Sequence, residues 1–153
     1  KRNNNCTAAE MRERVVRWLD LYAEAGITVE RALVMTAFGC NYEGEIPPER
    51  PVQELLWAHQ LCAERGINLK KLYFADTMGW ANPQAVRRLV GMLREKLPDV
   101  EVGLHLHDTR GLGTANVLAA LEMGVSLFDS SVAGLGGCPF AGHGDAREQR
   151  VRL

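Results

Sequence analysis

"VEVGLHLHDTRGLGTANVLAALEMGVSLFDSS" (residues 100–131) contains one whole turn of the fold. Its opening, "VEVGLHL" (100–106), is short and mostly apolar, which suits a strand. Residues 113–123 carry a helical apolar pattern, and Gly124 is a natural stop. "SLFD" (126–129) then reads as a second short strand. Two strands joined through a helix are the signature of a parallel crossover, because antiparallel neighbours need only a tight turn.

The same cycle recurs upstream. "KLYFA" (71–75) reads as a strand. Asn82-Pro83 follows as an N-cap with proline at the first helical position, and Val86, Leu89, Val90, Leu93 and Leu97 supply the apolar stripe up to Pro98. Before it, "RALVMTA" (31–37) reads as a strand. A loop holding Gly39, Gly44 and two prolines leads from there to a helix over 49–65 that stops at Gly66. The chain opens on a helix whose first turn, T-A-A-E (7–10), has the form of a capping box. Met11, Val15, Leu19 and Tyr22 mark one face of it, and Gly26 ends it.

Four strands alternating with helices predict an α/β fold with a parallel sheet. The polar residues then select the architecture. Asp76, His105 and His107, and Ser130 and Ser131 fall at or just past the C-terminal ends of successive strands. Chemistry assembled from every strand end is the habit of a (β/α)₈ TIM barrel, whereas an open sheet binds at one switch point. Only four of eight strands are present, so the expectation is about the second half of a barrel.

Composition narrows the class. The 153 residues are 46% hydrophobic and 24% charged with a net charge of −1, which fits a globular domain and gives no reason to expect nucleic acid or an anionic membrane as partner. No apolar run approaches a membrane span. Cys6, Cys40, Cys62 and Cys138 lie far apart without a C-x-x-C pair, which favours free thiols over a zinc knuckle or disulfide framework. The sequence begins at Lys1, so it is silent about a targeting peptide.

"HLHD" (105–108) carries the strongest chemical signal. Side chains at i and i+2 of a strand share a face, so His105 and His107 can converge on one divalent metal; hydrogen-bonded histidines without a metal are the alternative. Asp76 in "FADTMG" is a base, a ligand or its partner, or else a turn residue before Asn82. Cys138 in "GLGGCP" sits where glycines let a loop close over a ligand, and is either an acid, base or nucleophile or an inert small residue. Asp108 and Thr109 receive no role. Cys6, Cys40 and Cys62 read as inert, His59 as a helix-surface residue and His143 as a loop one.

Taken together, "NNNCTAAE", "FGCNYEGEIPPE", "FADTMGWANP", "GLHLHDTRGLGTANVLAALEMGV" and "DSSVAGLGGCPFAGH" resemble, in order, the 3-hydroxy-3-methylglutaryl-CoA lyase family. The resemblance runs over residues 1–143 and is most specific at "SVAGLGGCPF", the segment that holds the family's catalytic cysteine. It implies a barrel with a divalent cation, Mg²⁺ or Mn²⁺, at the C-terminal rim. His105 and His107 match the metal-ligating histidines, Cys138 the catalytic cysteine and Asp76 an active-site aspartate. The implied reaction cleaves a 3-hydroxyacyl-CoA thioester to acetyl-CoA and a keto acid, and Cys138 fits as the group that protonates the enolate. A condensing synthase of the same barrel family, or an inactive remnant, is the alternative; the signature cysteine favours the lyase.

Departures from the family mark where the resemblance stops. The family's strand-one arginine and aspartate and the glutamate that follows them would precede Lys1. Aligned from Cys138, Arg147 stands where the family has a metal-ligating asparagine, and arginine offers a metal no lone pair. Residues 144–153, "GDAREQRVRL", therefore read as a divergent tail without regular structure, from a lost reading frame at about Arg147 or from a variant. Beyond an acyl-CoA substrate, a homodimer is compatible with the resemblance. The expected compartment is cytoplasmic, with mitochondrial as the alternative.

Overall fold

The computed structural model describes residues 6–138 and Ala141, so the readings of His143, Arg147 and the tail lie outside the described residues. The chain forms two compact units, residues 1–30 and residues 31–153. In the first, helix α1 (Ala8–Glu24) starts from the capping box read in the sequence: Glu10 N–H donates to Thr7 Oγ1 at 3.2 Å, and Thr7 N–H donates back to Glu10 Oε2 at 2.5 Å. No helix among the described residues is long and apolar enough to cross a membrane.

The second unit holds a four-stranded parallel sheet in the order β1 (Arg31–Val34), β4 (Lys71–Ala75), β5 (Glu101–His105), β6 (Leu127–Asp129). Helices α2 (Glu49–Ala63), α3 (Pro83–Lys96) and α4 (Gly113–Glu122) connect successive strands. Sequence neighbours are therefore sheet neighbours throughout, the ordering that a β/α barrel requires and a doubly wound sheet breaks. The sequence reading of an α/β half-barrel holds.

Local chemistry sets each boundary. Asn82 Oδ1 accepts from Ala85 N–H at 2.9 Å, with Pro83 opening α3 as read. The strand expected over 31–37 is shorter than the sequence suggested and ends at Val34. Thr36 takes φ +54°, a conformation a β-branched residue resists; it is held there by its N–H donating to Thr77 Oγ1 at 2.8 Å. The loop after it also contains a short antiparallel pair, β2 (Gly39–Cys40) with β3 (Gly44–Glu45), which glycine-rich composition concealed.

Register sorts the side chains into two faces. Leu33, Tyr73, Gly103 and Leu127 are aligned across the sheet, and two residues on, Ala75, His105 and Asp129 continue the same face. Leu72, Phe74, Val102 and Leu104 lie on the opposite face, buried to 2% exposure or less, as are Val86, Leu89, Val90 and Leu93 of α3. Each such large side chain contributes about 1.5–3 kcal/mol by leaving water. Strands β1 and β6 are the sheet's edges among the described residues, and Leu33 and Met35 at the β1 edge are 39% and 41% exposed.

Gly103 is dictated by packing. The Tyr73 ring lies across it, and a Cβ there would stand 2.4 Å from Tyr73 ring atoms. Because Tyr73 is itself buried, the ring has little room to retreat. Gly103→Ala should therefore destabilise the fold by about 1–3 kcal/mol. Chemical denaturation of the two chains measures this, and equal midpoints would show that the ring is free to move.

Candidate active-site rim

The parallel ladder between β4 and β5 builds the centre of the rim. Ala75 is level with His105, and Asp76 N–H extends the ladder by donating to His105 O at 2.8 Å. One residue later the order reverses: the Thr77 carbonyl receives His107 Nδ1 at 3.0 Å. A carbonyl only accepts, so His107 carries its proton on Nδ1 and presents a lone pair at Nε2. His105 uses the same ring atom on a side chain instead, Nδ1 to Asp129 Oδ2 at 3.1 Å.

The two rings thus sit on the same side of the sheet, centroids 5.1 Å apart and nearly perpendicular. Among the described residues neither Nε2 has a hydrogen-bond partner, and the separation suits two imidazoles binding one cation at about 2.1 Å each. Burial lowers the pKa of His107, helped by the neighbouring His105 and opposed by the Thr77 carbonyl, which favours the neutral, ligating form. Among the described residues no group of three or more His, Cys, Asp or Glu side chains converges to hold a metal. The pair fits a metal as part of a ligand set.

Asp76 is the turn residue that its sequence position allowed. Its Oδ1 accepts from Trp80 N–H at 2.7 Å and so closes the turn that follows β4. Its Oδ2 is buried and meets no donor of hydrogen-bond geometry among the described residues. Burial pushes the carboxyl up to about 6, against the backbone N–H groups of Ala81, Trp80 and Gly79 and the Arg110 guanidinium, which favour its charge. Arg110 fastens the same turn by donating to the carbonyls of Met78 and Gly79, both at 2.8 Å, with its guanidinium 5.2 Å from the Trp80 ring centre. Asp108, to which no role was given, is a loop former: its Oδ1 accepts from Gly113 N–H at 2.6 Å at the start of α4.

Cys138 is half-buried against Cys40, Met78 and Ala141, beside Trp80 and Ile46. A chain of hydrogen bonds fixes that packing: Trp80 Nε1 donates to Asn41 Oδ1 at 2.7 Å, and Asn41 Nδ2 to the Ala141 carbonyl at 3.1 Å. Ala141 N–H then closes a turn on the Cys138 carbonyl at 3.0 Å. The two residues before the cysteine, Gly136 and Gly137, line a cleft of about 120 Å³ together with His105, His107, Asp129, Ser130 and Ser131. Ligand pockets hold about 300–1,000 Å³, so this cleft accommodates an ion and its first waters and forms one wall of anything larger.

The structure therefore gathers His105, His107 and the serines at one cleft; Asp76 and Cys138 are not among the residues that line it, Asp76 being tied to His105 through the backbone ladder and Cys138 following Gly137 in the chain. Sequence reasoning missed Asp129, Thr77, Asn41, Trp80 and Arg110. For Asp129 a signal existed, since an acid closing an apolar strand needs a reason. Thr77 acts through its carbonyl, which no side-chain pattern reveals.

Comparison with known proteins gives the family and agrees with the fold. The family model described as HMGL-like matches residues 1–148. Hydroxymethylglutaryl-CoA lyase YngG of Bacillus subtilis is 40% identical over 72% of this chain, which spans 35% of that protein. The mitochondrial hydroxymethylglutaryl-CoA lyase of Bos taurus is 38% identical over 92% of the chain, spanning 41% of its length. An HMG-CoA lyase from Acinetobacter baumannii, solved with coenzyme A and 3-methylmalate, superposes with a TM-score of 0.73 at 37% identity, over 91% of this chain and 43% of that one. The chain spans less than half the length of these relatives. On the family match and the shared half of a parallel barrel, the chain belongs to the HMGL-like family.

Proposed function

We propose that this chain supplies the second half of the active-site rim of a metal-dependent carbon–carbon lyase. Its substrate is a 3-hydroxyacyl-CoA such as 3-hydroxy-3-methylglutaryl-CoA, its products acetyl-CoA and the keto acid acetoacetate. The observation that carries the reading is the pair of imidazoles whose Nδ1 atoms are both engaged and whose Nε2 atoms have no partner among the described residues, beside a cleft walled by Gly136 and Gly137. A divalent cation such as Mg²⁺ or Mn²⁺, held by His105 and His107, would supply Lewis acidity toward the hydroxyl and carboxylate oxygens of the substrate.

The chain's own groups handle the protons. Cleavage begins when a base takes the 3-hydroxyl proton. The bond between C2 and C3 then breaks, C3 becomes the ketone of acetoacetate, and the electron pair passes to the enolate of acetyl-CoA, which must be protonated. Asp76, with a pKa near 6 and one oxygen unpartnered, can hold or release a proton close to neutrality. Cys138, the residue after Gly137 of the cleft wall, is assigned the protonation of the enolate. The glycines before it let the backbone approach the thioester closely.

Activity tests this directly. Joined to an upstream half-barrel of its family and supplied with Mg²⁺ or Mn²⁺, the chain should release acetyl-CoA from 3-hydroxy-3-methylglutaryl-CoA. Cys138→Ala or His107→Ala should lower turnover by about 10²–10⁴-fold. Full activity of Cys138→Ala would remove the cysteine from the chemistry, and robust turnover by the chain alone would overturn the half-barrel reading.

Asp76 generates a second prediction, in stability. Its folded pKa of about 6 lies above the ordinary 3.8, so the folded chain binds the proton more tightly than the unfolded one. That contribution is fully present below pH 3.8 and is lost as pH rises through about 6. Without added metal, raising the pH from about 4 to 7 should cost the native chain up to about 2–3 kcal/mol more than it costs Asp76→Asn. Denaturation at several pH values reads the difference, and parallel profiles would show that Asp76 is not desolvated.

A further inference from the structure

The contact that orients His105 is unlike the one that orients His107. His107 leans on a backbone carbonyl, which stays wherever the β4 ladder puts it. His105 leans on a side chain, Asp129, and that side chain is itself held. Ladder register places Asp129 directly beside His105 on the same face, and its two oxygens have separate partners: Oδ2 meets His105 Nδ1 at 3.1 Å, and Oδ1 accepts from Arg31 Nη1 at 3.0 Å. Arg31 reaches it from β1, across the two intervening strands, with its guanidinium 5.1 Å from the Tyr73 ring centre. Tyr73 can lie there because Gly103 has no Cβ.

We propose that Asp129 is a positioning residue that fixes His105 as the Nδ1–H tautomer, with Arg31 as the buttress that holds the carboxylate in place. A carboxylate accepts and cannot donate, so His105 must place its proton on Nδ1 and its lone pair on Nε2, the form a metal ligand needs. Arginine stays protonated under all ordinary conditions, so the buttress does not switch off with pH. Its pKa is raised further, first by the hydrogen bond to Asp129. The purpose of this arrangement, ligation of a cation by His105, rests on the function proposed above; the tautomer assignment does not.

The test separates the two. In the metal-free chain with ¹⁵N-labelled histidine, at a pH of about 9 where imidazoles are neutral, long-range ¹H–¹⁵N correlations should show both His105 and His107 as Nδ1–H. In Asp129→Asn the amide can turn its NH₂ toward the ring, and His105 alone should pass mainly to the Nε2–H form, with His107 as internal reference. In Arg31→Gln, which leaves the carboxylate unbuttressed, His105 should show a mixture of forms. This second variant carries the test if the first fails to fold. His105 found as Nε2–H in the native chain, unchanged in both variants, or changing together with His107, would overturn the proposal. Mn²⁺ added to the same samples should broaden both rings, and Asp129→Asn should need about 10–100-fold more of it for the same broadening. A tautomer change without any change in Mn²⁺ response would uphold the positioning role and count against the metal reading alone.

Discussion

Everything at the rim depends on the hydrogen-bonded register between β4 and β5. Five consecutive pairs, Lys71 with Glu101 through Ala75 with His105, bring two strand ends to the same height. The next N–H of one strand, that of Asp76, donates to the His105 carbonyl, and the carbonyl of the following residue, Thr77, receives the His107 ring. A slip of one residue would turn His105 to the opposite face and strand His107 without its acceptor. The apolar face fixes this register, because Leu72, Phe74, Val102 and Leu104 can be buried together only when the polar set faces the other way. Core packing thereby determines where the imidazoles stand.

Two kinds of feature were legible in the sequence. Periodicity and cap chemistry gave the helices and the order of the strands, since Thr7, Asn82 and Pro83 act through their immediate neighbours. His105 and His107 were legible because strand alternation alone puts them on one face. The end of β1 was hidden, because Thr36 is held at positive φ by a hydroxyl 41 residues away, a tertiary constraint that overrides strand propensity. The place of Asp129 was marked, as an acid closing an apolar strand, but its partners were hidden for the same reason: they lie on a neighbouring strand and at Arg31, 98 residues earlier.

Cys138 illustrates how a loop is given a position without regular structure. The glycines around it leave the backbone free to adopt many paths, Gly136 and Gly137 having φ of 156° and 128°. What narrows the choice is the far side of the rim. Trp80, packed so closely on Gly39 that a Cβ there would stand 2.6 Å from the indole, hands one hydrogen bond to Asn41, which passes another to Ala141. The turn after β4 and the loop after β1 therefore act together on the cysteine segment. Substitutions at Asn41 or Gly39 would be felt at Cys138 without touching it.

The tie from Arg31 to Asp129 also reports on shape. In a flat sheet, three strand spacings of about 4.8 Å would set the first and fourth strands about 14 Å apart. The two residues also lie at opposite ends of their strands, Arg31 level with Glu101 and Asp129 level with His105. A 3.0 Å contact between them is therefore a chord drawn across an arc. The four strands already bend as strongly as the bond demands, so the curvature of a closed barrel is written into this half of the circumference by its own side chains.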